Sequence, residues 1–360
     1  MSEFINRPLS RRGFLGGATV AAGLGLTACG GQQQQKAEAP SGKEGGGTIT
    51  AGTAYSTQNY DPSTTSSALA LGVNWQVVEG LYGLNFHDYS TFNELATADP
   101  KKVDDYTFEI TLRDGAKFSD GNEVKADDVV ESFNRSAAKG SVYVPMLSPI
   151  ASVIKKDDKT VTVKTSIANF SLLKERLSIV RVVPASSSQD EMKKQPVGSG
   201  PWQFESISDN TLDLVPNKNY NGATPAKDDK LHYDVLKDPT ARLTAQQDGT
   251  TLAMEMVPAD AVDQLKGAGC TVDAVQGFGV RFAMFNLGKA PWDNVKVRQA
   301  CLYALDTDKM LANAFSGQAE VATSYLPSSF ANYHKASTVY AHDVDKAKKL
   351  IAESGITPGD

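Results

Sequence analysis

Apolar and polar residues alternate in two stretches, Thr48–Thr53 and Tyr106–Leu112, and each predicts a strand with one buried face. Between Val153 and Thr165, two apolar runs flank Lys155-Lys-Asp-Asp-Lys159, which predicts a hairpin. A helical period covers Ala68–Leu81, ending in Glu79-Gly-Leu-Tyr82. Another helix opens after Lys125, where Asp127 and Asp128 suit the positive end of its dipole. Residues 231–276 read as strand (Leu231–Leu236), helix (Ala241–Gln247), strand (Thr251–Val257), helix (Ala259–Lys266) and strand (Thr271–Val275), an alternation that predicts mixed α/β layers. The aromatic-rich apolar run Val280–Leu287, bounded by glycines, predicts a buried strand. Asp293 or Asn294 caps the next helix, in which Val297, Cys301 and Leu305 fall four apart beside Ala300 and Ala304. A helix runs from Asp306 through Phe315, 321–330 is loop, and Asp343 caps a last helix, Val344–Ser354, ended by Gly355.

Ahead of these elements, residues 1–28 read as an export address. Ser10-Arg11-Arg12-Gly13-Phe14-Leu15 matches the twin-arginine pattern, and Gly16–Leu26 is a short apolar stretch of small residues. Leu26-Thr-Ala-Cys29 resembles a lipobox, which predicts a lipidated Cys29 holding the chain on the outer face of the cell membrane. Two acyl chains suit that role, since one alone anchors only marginally. A plain secretory leader or an N-terminal membrane anchor is the alternative reading. Residues 29–47, rich in Gln and Gly, predict a flexible tether. No apolar run after residue 30 approaches the roughly 20 residues of a membrane-spanning helix.

The formal charge is −6; three arginines against Glu3 give the leader +2 and leave −8 for the rest. Such a body argues against nucleic acid as a partner, because phosphate binding needs clustered Lys and Arg. Cys270 and Cys301 either pair, as an exported protein permits, or stand as separate buried thiols. His87, His232, His334 and His342 are scattered without an i,i+4 pair, so neither a metal nor another cofactor is predicted. The chain contains no Gly-x-Ser-x-Gly, His-Glu-x-x-His, phosphate-loop or EF-hand motif. Binding is therefore expected, and catalysis is not. Trp75, Trp202 and Trp292 are expected to pack.

Three stretches resemble, in order, signatures of the family 5 extracellular solute-binding proteins, the dipeptide, oligopeptide and nickel receptors of ABC importers. They are Arg113-Asp-Gly-Ala-Lys-Phe-Ser-Asp-Gly-Asn-Glu-Val-Lys-Ala-Asp-Asp-Val-Val130, Val197-Gly-Ser-Gly-Pro-Trp-Gln-Phe204, and the run from Phe285-Asn-Leu-Gly-Lys-Ala-Pro-Trp through Asp306. Lys125 stands where the family usually has a Thr cap. The resemblance implies an α/β, two-lobed, periplasmic-binding-protein-like fold of type II, with mixed sheets flanked by helices. Residues 48–276 would form lobe I, with an extra subdomain inserted at about 90–182, and 277–360 the crossing segment and part of lobe II. Family members continue beyond the position of Asp360, so lobe II is expected to be incomplete.

By the same resemblance, the solute lies between the lobes and hinge motion closes over it. Tyr55, Ser56, Thr57, Gln58 and Asn59 would face that cleft, as would Phe278, Gly279, Val280 and Arg281 of the crossing segment. The implied function is a monomeric, membrane-anchored receptor that hands peptides to the permease subunits of an ABC transporter. A nickel chelate or an oligosaccharide is the alternative solute, and an exported lipoprotein enzyme is the rival from another class. The family's acidic residue for a peptide amino terminus, and its histidine for nickel chelates, lie past Asp360.

Overall fold

The computed structural model describes residues 46–86, 88–277, 279–315, 318–330 and 332–356. The export signal with Arg11 and Arg12, the lipidation site Cys29 and most of the tether lie outside the described residues. Along the chain the elements are β1 (Thr48–Thr53), α1 (Ala68–Val77), β2 (Tyr82–Leu84), β3 (Thr91–Asn93), β4 (Lys101–Lys102), β5 (Thr107–Thr111) and α2 (Ala126–Ser136). Then come α3 (Val144–Leu147), β6 (Ile150–Lys155), β7 (Thr160–Thr165), α4 (Leu173–Leu177), α5 (Gln189–Lys194), β8 (Trp202–Ile207), β9 (Thr211–Pro216) and β10 (Lys230–Val235). The remainder is α6 (Pro239–Gln247), β11 (Ala253–Met254), a 3-10 turn (Ala259–Ala261), α7 (Val262–Gly267), α8 (Val295–Ala304), α9 (Thr307–Phe315) and α10 (Val344–Ser354).

A five-stranded mixed sheet has the order β11-β1-β10-β9-β8, with β1 parallel to both of its neighbours. Leu212, Leu214 and Leu231 alternate inward from β9 and β10, and Trp202 and Phe204 from β8. They bury against Leu69, Val73 and Val77 of α1 and against Tyr60, whose ring meets Phe204 edge-on at 5.6 Å. Burying each such side chain stabilises by about 1.5–3 kcal/mol. A second, four-stranded antiparallel sheet, β4-β5-β7-β6, has its own core, drawn from residues 81 to 182 and centred on Ile110, Val161, Val163 and Phe118. Its β6–β7 hairpin is the one that the apolar runs around Lys155–Lys159 predict.

Buried charge joins the two cores. Just past α1, Glu79 accepts from both Arg113 guanidinium Nη atoms at 2.8 Å. Arg181 reaches Glu94 at 2.8 Å, and the Gly80 N–H donates to the same Glu94 oxygen at 2.6 Å. Arg113 also donates to Asn221, beyond β9. The helix predicted over 68–81 therefore stops at Val77: Gly80 pairs with Arg181, and Tyr82–Leu84 pair with β3. Sheet bonds, which depend on distant residues, take the backbone groups that a further helical turn would have used.

On β9 and β10, Asp213 and His232 are direct cross-strand partners, with Nδ1 2.6 Å from Oδ1. Partial burial depresses the imidazole, but Asp213 and Asp234 outweigh it, and His232 titrates above its ordinary 6.5. Burial likewise raises Asp213, but His232, Ser206 and Lys230 win and hold it below its ordinary 3.8. His232 thus contributes stability that is complete below pH 6.5 and is lost as pH rises through its folded value. Asp213 contributes above pH 3.8 and loses its contribution as pH falls. Melting temperatures measured across pH 6–8 are expected to fall in the wild type and to fall less in His232→Gln; equal slopes would exclude the pair as the cause.

Several expectations are corrected. Thr251–Val257 contracts to the two residues of β11, and the chain turns off at Met256 with φ 54°. Neither Thr271–Val275 nor Val280–Leu287 is a strand. Val275 is 85% exposed, Phe282 71% and Met284 84%. A strand needs a hydrogen-bonded neighbour, and no described strand runs beside these residues. Asn294 is the cap of α8, its side chain accepting from Lys296 N at 3.0 Å. Only Val297 and Ala300 of the predicted stripe are buried; Leu305 has left the helix in extended backbone and is exposed. Cys270 and Cys301 are free thiols, both partly exposed rather than buried. Asp343 caps α10, and Gly355, at φ 75°, ends it. Gly46 and Gly47, read as tether, are bonded to Lys227 and Asp229.

Candidate functional site

β11, β1 and β10 run in parallel, so their carboxyl ends share one edge of the sheet. In open α/β sheets, ligand crevices form outside such ends. Here the loop after β1 emerges, carrying the first five predicted binding residues. Thr53 Oγ1 accepts from Tyr55 N at 3.2 Å and donates to Glu255 Oε1 at 2.5 Å, while Ala54 N donates to the same oxygen at 3.3 Å. Thr57 Oγ1 accepts from Asn59 N at 3.0 Å and donates to Asn59 O at 3.1 Å. Asn59 Oδ1 in turn accepts from Asp61 N at 3.0 Å. Gln58 Nε2 donates to Asp209 Oδ1 at 2.8 Å. Short polar side chains thus order this loop by bonding their own backbone. Ser56 and Gln58 are exposed; Thr57 and Asn59 are half-buried, and so is Tyr55, which packs against the core of the five-stranded sheet.

Two residues without a motif in the sequence complete the rim. Arg242 is 4% exposed, and its guanidinium donates to the carbonyls of Leu236 (2.6 Å), Lys237 (3.0 Å) and Met256 (3.3 Å). It thereby ties the carboxyl ends of β10 and β11 together. Glu255 follows β11 directly. Burial, with a smaller push from the Glu255 charge, raises the Tyr233 phenol against the hydrogen bond from Gln76. Neither Arg242 nor Glu255 carries a motif: Arg242 bonds backbone carbonyls, which any sequence offers, and the partners of Glu255 lie on the neighbouring strand, about 200 residues away.

The crossing segment makes no bond to this loop among the described residues. Gly279 and Arg281 are exposed and Val280 is half-buried, without regular structure; Phe278 lies outside the described residues. Among the described residues no hydrogen bond or ion pair joins 279–281 to 54–59. Of the three tryptophans, Trp202 is buried in the core, Trp75 lies under the Arg181 guanidinium and meets Phe86 edge-on, and Trp292 lies against Phe285. Among the described residues no group of three or more His, Cys, Asp or Glu could hold a metal. None of the described helices is long and apolar enough to cross a membrane.

The sequence profile of the bacterial extracellular solute-binding proteins, family 5 middle region, matches residues 92–360. The chain belongs to this family. As a family 5 protein it is 32% identical over 311 residues to heme-binding protein A of Haemophilus influenzae, covering 77% of this chain and 56% of that one. It is 29% identical over 269 residues to a putative ABC transporter peptide-binding protein of Brucella ovis, covering 69% and 49%. The chain thus spans about half the length of these curated relatives. Its fold matches the periplasmic binding protein DppA of Helicobacter pylori, solved with the peptide STSA, at a TM-score of 0.75 and 20% identity, over 87% of this chain and 67% of the other. The fold is therefore the mixed α/β fold of type II periplasmic binding proteins, as the resemblance implied.

Proposed function

We propose that this family 5 protein is an extracytoplasmic receptor, tethered through a lipidated Cys29, that binds peptides and delivers them to an ABC permease. The reading rests above all on the family match over residues 92–360, together with the likeness to a relative named for peptide binding. The bound solute would lie against Tyr55–Asn59 and residues 278–281, between lobe I (48–276) and the lobe that 277–360 begins. Backbone groups of an extended peptide would bond this rim, leaving side chains in wet pockets, and ligand would favour the closed arrangement. A second reading, a receptor for heme, is favoured by the relative named heme-binding protein A.

A thermal-shift screen against di- to octapeptides, hemin, nickel chelates and oligosaccharides tests both readings. A ligand at 100 times its Kd stabilises the native state by about 2.7 kcal/mol, so peptides are expected to raise the melting temperature dose-dependently. A shift with hemin alone would replace the first reading by the second.

A further inference from the structure

We infer that Glu255 sets the charge preference of this rim, its carboxylate receiving a side-chain cation, the ammonium of a lysine or the guanidinium of an arginine, of the bound peptide. The inference rests on the reading of the loop after β1 as part of the ligand site. Parallel register places Ala51 opposite Ala253 and Gly52 opposite Met254, so Glu255 comes level with Thr53, where the binding loop begins. Two bonds from that loop hold Oε1, from Thr53 Oγ1 at 2.5 Å and from Ala54 N at 3.3 Å. The side chain is exposed, and among the described residues Oε2 has no hydrogen-bond partner and Glu255 no ion pair. An ionised carboxylate offers about four lone-pair sites; the loop uses one oxygen and leaves the other unbonded among the described residues.

The carboxylate is also held in place from behind. Arg242 binds the Met256 carbonyl next to it, and the left-handed turn at Met256 fixes where the chain leaves β11. Arg242 is spent on backbone carbonyls and is buried, so it is not the counter-ion of Glu255. On the other side of the loop, Asp209 holds Gln58 and likewise has no ion pair among the described residues. A solute seated on this loop therefore meets fixed negative charge, and a preorganised acid selects cations without having to reorganise.

Glu255 also has a purely structural use, as acceptor for Thr53 and Ala54, and Glu255→Gln separates the two because the amide oxygen keeps that role. The test is calorimetric titration of the full chain with Lys-Lys-Lys, Ala-Ala-Ala and Glu-Glu-Glu at low ionic strength. The wild type is expected to bind tri-lysine about tenfold or more tighter than tri-alanine, as a hydrogen bond to a charged group implies, and tri-glutamate weakest. Glu255→Gln should lose that preference while keeping its affinity for tri-alanine, and Glu255→Lys should reverse the order. Equal binding of tri-alanine and tri-lysine by the wild type, or a preference that survives in Glu255→Gln, overturns the role of Glu255 and leaves the peptide reading standing. If the wild type binds none of the three peptides, both fall together.

Discussion

Glu94→Gln is expected to destabilise the folded body by about 3–5 kcal/mol, the cost of leaving a buried guanidinium without its counter-charge. Arg181 is 5% exposed, lies 2.8 Å from Glu94, and sits with its guanidinium carbon 3.2 Å from the centre of the Trp75 ring. Burial lowers its proton affinity, and Glu94 is the foremost group that opposes this. The neutral amide keeps an acceptor for the Gly80 N–H but removes the charge, so the loss reads out the ion pair. Urea unfolding midpoints measure it. Adding Arg181→Met should recover part of the loss, because it removes the buried guanidinium that Glu94→Gln leaves without a counter-charge. A double variant that merely sums the two single losses would show that the residues are not coupled.

Gly198→Ala is expected to cost as much or to prevent folding. A Cβ there would sit 2.1 Å from the Val77 carbonyl oxygen and 2.8 Å from Val78 Cα. Those are backbone atoms at the end of α1, where Gly200 N also bonds Val77 O at 2.8 Å. Neither side can yield without breaking that junction, which puts the loss at or above about 3 kcal/mol, the upper end of ordinary overpacking. Gly72 is the control. It is exposed inside α1, and a methyl group added there would meet nothing within 4 Å, so Gly72→Ala should stabilise by about 0.5–1 kcal/mol. If the two substitutions had similar effects, close packing would not be the reason for the glycine in Val197-Gly-Ser-Gly-Pro.

Legibility followed the range of the interactions. The β6–β7 hairpin and the caps at Asn294 and Asp343 were readable because each is made by neighbours in the chain, and the strand at Tyr106–Leu112 because its alternation marks one face for burial. The loop Tyr55–Asn59 entered as a candidate through the family resemblance, and its order comes in part from its own Thr and Asn side chains. Val280–Leu287 is rich in apolar residues yet is not a strand, and Phe282 and Met284 are exposed. Apolarity says that a segment gains from being covered; a partner strand decides whether it is covered.

By itself, then, the sequence determined the local elements, the family signatures and the loop after the first strand, because helix periods, turns and caps are settled within a few residues. Only the tertiary structure decided that Glu255 meets Thr53, 202 residues away, that Arg242 ties the ends of β10 and β11, and that Glu79, Glu94, Arg113 and Arg181 share one buried cluster. Those contacts depend on which strand lies beside which, and the order β11-β1-β10 is set by the burial of whole sheet faces, which leaves no mark at any single position.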